Sequence, residues 1–324
     1  MPDAFGVEVG IKSDPIEYRY SFEWLFRLMG RHGIRIMQLG SFHELYSVEE
    51  GYLDGLRELG ARYGVRVKSC FTAHRELGGF FTGNRFLEKA ARSSYERLIR
   101  VGAALGADFV GGSAGFVYRD RPELRETGMS RYLAHMRELM ELARQSGLRG
   151  LVVEVMSSSF EPPSTPREIA SMMEELSAHH RSHPSSTVPV YLCGDVSHGL
   201  CDASMRVLHG NMELFELSVP WMAEFHFKNT DAAFNSTFGF SAQERSRGIV
   251  RLEELRAVIE RNADRFPVSD LAGYLEHPGP KLGRDYSDVT LERALEESLA
   301  AILAVFRDPA DAGERGPSRS PRRE

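Results

Sequence analysis

Apolar residues along this chain come in two alternating rhythms. Short runs rich in β-branched and aromatic residues read as strands buried on both faces: FGVEVGI at 5–11, IRIMQLG at 34–40, VRVKSCF at 65–71 and ADFVGGS at 107–113. Four more follow, GLVVEVM at 150–156, VPVYLCGD at 188–195, AEFHFKN at 223–229 and AGYLEHP at 272–278. Segments with helical spacing alternate with them, at 21–32, 48–63, 86–105, 129–146, 165–182, 213–222, 251–265 and 288–307. In FLEKAARSSYERLIRVGAAL, Phe86, Ala90, Tyr95, Leu98, Val101 and Leu105 roughly follow the i, i+3, i+4 spacing of one apolar face. Ser164 and Thr165 before Pro166 form a helix start. Gly64, Gly106 and Gly147 stand where helices should stop.

Eight strand–helix units without a composition break predict an α/β fold, a single closed (β/α)8 TIM barrel over residues 1–308. A doubly wound sheet is the competing architecture, and the regularity of the units favours closure. The last stretch, PADAGERGPSRSPRRE at 309–324, is rich in Pro, Gly, Ser and Arg and reads as a disordered C-terminal tail.

Composition narrows the function classes. Hydrophobic residues make up 42% of the 324, enough for a sizeable core, and the formal charge of −6 argues against a nucleic-acid or membrane-surface partner. The three cysteines, Cys70, Cys193 and Cys201, contain no CxxC pair and suit a reducing compartment. MPDAFGVEVG lacks the basic-then-apolar order of a signal peptide, and no run of about 18 apolar residues could span a bilayer. The expectation is a soluble cytoplasmic protein.

The chemistry belongs at the C-terminal ends of barrel strands. Four late strands end on a metal-type side chain: Glu154 in VVEVM, Asp195 in LCGDVSH, His226 in EFHFKN and Glu276 in GYLEHP. A single acidic residue at a strand end usually caps the next helix or pairs with a cation. Three buried carboxylates are costly to desolvate, and a shared divalent cation would remove that cost. The set is mostly oxygen with open positions, suited to Mn²⁺, Mg²⁺ or Co²⁺, one per chain. Asp195 and His198 are three apart, so both cannot face inward on one strand. The strand should end near Asp195, with His198 returning over the pocket and Gly194 and Gly199 permitting the turn.

With these residues in place the chain resembles the xylose isomerase-like barrels, in particular the ketose 3-epimerase branch. The resemblance covers roughly residues 4–307 and is most specific in the second half. It implies that Glu154, Asp195, His226 and Glu276 hold one metal, and that Glu154 and Glu276 transfer the proton. It also implies that His198 holds a substrate oxygen and that Glu161 answers to a second family glutamate, one residue later than expected. Ala232 stands where the ketose 3-epimerases carry an arginine, so Lys228, Asn229 or Asp231 become candidates for that contact.

The activity implied is a metal-dependent isomerase or epimerase of a small ketose or ketose phosphate, working through a metal-stabilised enediolate. The alternative is a lyase, dehydratase or deglycosidase acting on a 3-oxo-sugar or inosose. An abasic-site endonuclease of the same fold would need more ligands and a basic face, and a non-catalytic sugar-binding subunit would not need the ligand set. Lys281 and Arg284 in HPGPKLGRDYSD, with Arg245 and Arg247 after the seventh strand, suggest phosphate recognition; Lys281 and Arg284 could equally pair with Asp285 or Asp288. Phe80, Phe81, Phe238 and Phe240 could form a lid or an interface between subunits. His43 and His74 follow strands two and three and are candidates to reach the pocket. His179, His180 and His183 belong to a helix C-terminus at the far end of the barrel, where they suit the helix dipole. A homo-oligomer is expected by analogy.

Overall fold

The computed structural model describes residues 5–17, 19–278 and 288–307. Lys281, Arg284 and the tail at 309–324 lie outside them. Eight parallel strands close into a barrel: β1 Val7–Lys12, β2 Ile36–Leu39, β3 Arg66–Thr72, β4 Phe109–Gly112, β5 Gly150–Glu154, β6 Val190–Asp195, β7 Met222–Phe227 and β8 Leu271–Leu275. Closure is direct, since β1 pairs in parallel with both β2 and β8. The main apolar core lies between this barrel and its ring of helices, where Leu98 and Val101 from helix Arg85–Leu105 pack with strand residues such as Val110 and Leu151. Inside the barrel are smaller apolar groups, Phe71, Phe109, Val152, Cys193 and Ala223 in one and Ile36, Ala272 and Tyr274 in another.

Local signals place most helix ends. Gly64 and Gly106 end their helices at φ of 65° and 69°, a left-handed conformation cheap only for glycine. Thr165 caps helix Pro166–Ser182 by accepting from the Glu168 amide, with Pro166 in the first turn. Three helices depart from the expected bounds, and the one read as 251–265 ends as Leu252–Arg261, with a 3₁₀ turn at Ala263–Arg265 after it. The fourth strand is followed by Leu124–Gln145, beginning earlier than 129. The segment read as 213–222 is Asn211–Ser218, after which Val219–Trp221 tightens into a 3₁₀ turn around Pro220 and β7 begins. The pattern reading also passed over a short helix, Phe42–Tyr46, and a small hairpin, Leu200–Cys201 with Val207–His209. Such pieces are too short to show a period.

The two ends of the barrel differ chemically. At the N-terminal end, Lys68 bonds Glu8 and Asp270, and Arg149 bridges Asp270 to Asp108, which also takes Arg66. This network seals the barrel floor. The C-terminal end collects the strand-end acids and the histidine.

Candidate metal centre

Register brings the ligand candidates to one level. Asp195 on β6 pairs with His226 on β7, and His226 pairs with Tyr274 on β8. Glu276 lies one residue past β8, its amide still donating to the Phe227 carbonyl at 3.1 Å. One ligand atom from each of Glu154, Asp195, His226 and Glu276 lies within 4.8 Å of the others. The imidazole Nδ1 of His226 is central, 3.1 Å from Glu154 Oε1, 3.2 Å from Glu276 Oε2 and 3.8 Å from Asp195 Oδ2. Ser197 steadies Asp195, since its amide and its hydroxyl both donate to Oδ1 at 2.7 Å.

Two lysines enter the same cluster. Lys12, at the end of β1, puts Nζ 2.8 Å from Glu276 Oε1 and 3.1 Å from Asp14 Oδ2. Lys228 bridges Asp195 Oδ2 at 3.2 Å and Glu276 Oε2 at 3.0 Å. Burial alone would push the Glu276 carboxyl up, but Lys12, Lys228 and His226 outweigh it and hold the group well below the usual carboxylate range. Asp195 and Glu154 are likewise lowered against burial, the first by His198 and Lys228, the second by His226. Burial also opposes charge on His226 and on both lysines, yet Cys193, Glu276 and Asp195 around the imidazole and the carboxylates around the lysines hold all three pKa values above their ordinary ones. Neither lysine can act as a neutral base here.

The balance of charges fits a cation. Asp195, Glu276 and Asp14 contact the two ammonium groups, and Glu154 contacts His226, so four carboxylates share two lysine charges. The excess negative charge converges on Nδ1 of His226, a nitrogen that offers a lone pair once a cation replaces its proton. A divalent ion held by three carboxylate oxygens and one imidazole would satisfy both needs.

Behind the ligands lies a buried polar chain that the sequence reading missed. His226 Nε2 donates to Gln38 Oε1 at 2.8 Å, and Gln38 Nε2 donates to Glu224 Oε1 at 2.9 Å. Ser69 donates to the same Glu224 oxygen at 3.0 Å. Burial pushes the Glu224 carboxyl up to about 7, with His226, Ser69 and Gln38 opposing it. Phe71 packs its ring edge-on to His226 at 5.0 Å and carries the Lys12 ammonium over its face.

The remaining candidates sort by position. The His198 ring reaches the cluster, with Nδ1 donating to the Val155 carbonyl at 2.8 Å and Nε2 lying 3.3 Å from Asp195 Oδ2. β6 does end at Asp195, but Gly199 answers to packing, since an added Cβ would come within 2.3 Å of the Phe234 ring. Of the three residues weighed for the missing arginine, only Lys228 faces the ligands. Asn229 accepts from the Thr230 and Val250 amides, and Asp231 accepts from those of Ala233 and Asn235, so both organise the loop.

Glu161 stands apart from the ligand cluster and pairs with Arg75 at 2.5 Å, a residue from the loop after β3. His74 packs edge-on against Phe42 at 4.9 Å and lies 3.2 Å from Glu76, outside the cluster. His43 lines a groove of about 800 Å³ with Tyr20, Phe42 and Tyr52, also outside it. Phe80, Phe81 and Phe240 are fully buried and Phe238 nearly so, which corrects the reading of these rings as a lid. Phe80 and Phe81 pack on Tyr132, and Arg247 covers Phe238 at 4.3 Å. His179 and His183 set their rings 4.5 Å apart at a tilt of 33° at the C-terminal end of their helix, outside the ligand cluster.

Comparison with known proteins agrees with this architecture. Three solved structures align over nearly their whole length. A candidate xylose isomerase from Rhodospirillum rubrum has a TM-score of 0.74 and 19% identity, with 93% of this chain and 99% of that one covered. D-psicose 3-epimerase from Clostridium cellulolyticum, solved with D-tagatose, gives 0.69 and 14%, covering 93% and 100%. The 3-keto-D-glucoside 4-epimerase from E. coli gives 0.63 and 12%, covering 92% and 99%. At these identities the likeness is one of fold. No curated protein sequence matches. The family model described as xylose isomerase-like TIM barrel matches residues 26–269, and the chain belongs to that family.

Proposed function

We propose that this protein is a divalent-metal-dependent isomerase or epimerase of a small ketose or ketose phosphate. The observation that carries the reading is the convergence of Glu154, Asp195, His226 and Glu276 within 4.8 Å at the C-terminal mouth of the barrel. A bound Mn²⁺, Mg²⁺ or Co²⁺ would supply Lewis acidity to a carbonyl and its neighbouring hydroxyl. Glu154 and Glu276 are ionised in this environment and approach from different sides of the cluster, so either can remove a C–H proton and return it, whereas delivery to the opposite face needs the other carboxyl to take up a proton from solvent first. Return to the opposite face of the same carbon is epimerisation, and return to the neighbouring carbon is isomerisation. His198 holds a substrate oxygen in this reading, and Lys12 and Lys228 offset the negative charge that develops as the proton leaves.

A second reading is favoured by one specific residue. Ala232 occupies the position where the resemblance to ketose 3-epimerases calls for arginine, which suits a substrate of different shape. An oxidised sugar, a 3-oxo-glycoside or an inosose, could lose a β substituent from the same enediolate, making the enzyme a lyase or dehydratase.

The test is a turnover screen of ketoses, ketose phosphates and 3-oxo-sugars with Mn²⁺ in D₂O, read by NMR. Deuterium at the reacting carbon of an epimer or isomer supports the first reading. Elimination products alone support the second. A protein that neither contains nor binds a divalent ion, by metal analysis and calorimetry, defeats both.

A further inference from the structure

We propose that Gln38 is the positioning residue that decides which imidazole nitrogen His226 presents to a cation. The inference rests on reading the cluster as a cation site. It follows from the direction of hydrogen bonding through three fully buried side chains on β2, β3 and β7.

Glu224 Oε1 accepts from the Ser69 hydroxyl and from the Gln38 amide nitrogen. That contact orients the Gln38 amide, because the reversed group would set its carbonyl oxygen against Oε1, which already accepts from the Ser69 hydroxyl and so is the oxygen that carries no proton. Oriented this way, Gln38 can offer His226 only Oε1, 2.8 Å from Nε2. A carbonyl oxygen accepts, so Nε2 must carry a proton. The lone pair of the neutral ring is therefore confined to Nδ1, the nitrogen that faces the three carboxylates. Cys193 is the other group near Nε2, its sulfur 3.5 Å away, and a buried thiol is a poor substitute acceptor. Glu224 anchors the chain, Gln38 transmits it, and the imidazole is fixed in both tautomer and orientation.

A purely space-filling Gln38 would predict something different. Gln38→Met keeps nearly the same volume and loses the acceptor, whereas the double variant Gln38→Glu/Glu224→Gln keeps an acceptor facing Nε2 and a donor–acceptor contact behind it. The test uses the full-length protein with Mn²⁺ calorimetry, and ¹⁵N-histidine NMR of the Zn²⁺-loaded form. In the wild type, His226 should show a slowly exchanging Nε2–H and a metal-bound Nδ1. Gln38→Met should weaken Mn²⁺ binding by roughly 10- to 100-fold, and Gln38→Glu/Glu224→Gln should keep it within about threefold of wild type. A wild-type Nδ1–H signal would overturn the inference without any variant having to fold. Tight binding by wild type and Gln38→Met alike would overturn it while leaving the proposed function standing. A wild type that binds neither ion would overturn both.

Discussion

Lys12 and Glu276 are 264 positions apart in the chain and 2.8 Å apart in the barrel. They meet because β1 and β8 pair to close the sheet, and each residue lies at or just past the end of its strand. Lys12 is 1% exposed, so its charge acts with little solvent screening. It holds Glu276 ionised and at the same time competes with any cation for that carboxylate.

This competition can be measured. Lys12→Met removes a positive charge beside the cation and should tighten Mn²⁺ binding, on the order of tenfold, because like charges this close repel strongly in a buried site. Turnover should fall, since the ionised state of Glu276 and the compensation of developing charge are both weakened. Calorimetry showing unchanged or weaker Mn²⁺ affinity would mean that Lys12 supports the cation site instead of competing with it.

Asp195→Asn should have the opposite effect on binding. It removes the carboxylate charge and, with Oδ1 still held by Ser197, puts an amide nitrogen where Oδ2 faces the site, so Mn²⁺ affinity should drop by roughly 100-fold or more. The metal-free protein should tolerate the change within about 1 kcal/mol, because Lys228 keeps Glu276 as a partner and the cluster already carries excess negative charge. Urea denaturation with and without Mn²⁺ separates the two effects.

The acid limb of stability should report the same carboxylates. Glu276 has its folded pKa held well below the ordinary 4.5. Its contribution is therefore fully present above that value and is lost as pH falls through the depressed one. In metal-free protein, the stability gap between wild type and Glu276→Gln should be constant above about pH 5 and shrink below about pH 4. A gap that widened toward acid would show that the lysines do not stabilise this carboxylate.

Phe81 separates a lid from a core. Its ring is fully buried against Tyr132 in helix Leu124–Gln145. Phe81→Ala should cost about 3–5 kcal/mol of stability in urea denaturation. A mobile lid would lose activity with stability nearly unchanged.

Arg75 tests the outer rim. It pairs with Glu161 across the loops after β3 and β5. Arg75→Ala should raise KM for the turnover substrate while leaving Mn²⁺ affinity at the wild-type value. A matching loss of Mn²⁺ affinity would place the pair in the metal site.

The barrel and the ligand set were legible in the sequence for a local reason. A strand buried on both faces reads as an apolar run, so a carboxylate or imidazole at its end stands out without knowledge of its neighbours. Glu154, Asp195, His226 and Glu276 each carry that signal inside their own strand. Elements that went unread, such as Phe42–Tyr46, Ala242–Arg247 and the hairpin at 200–209, are too short for a periodic pattern to repeat. Lys12 and Gln38 were invisible for a different reason. Gln38 lies 188 positions from His226 and Lys12 lies 264 from Glu276, so nothing near either residue marks it as part of a site. Glu224 is two residues before His226 on the same strand and so faces the same side, a period-two signal that could have been used. The chain alone determined which side chains could hold a cation, because that is written strand by strand. Only closure of the barrel decided what surrounds them: which lysines neutralise them, which amide orients the imidazole, and which aromatic rings are core.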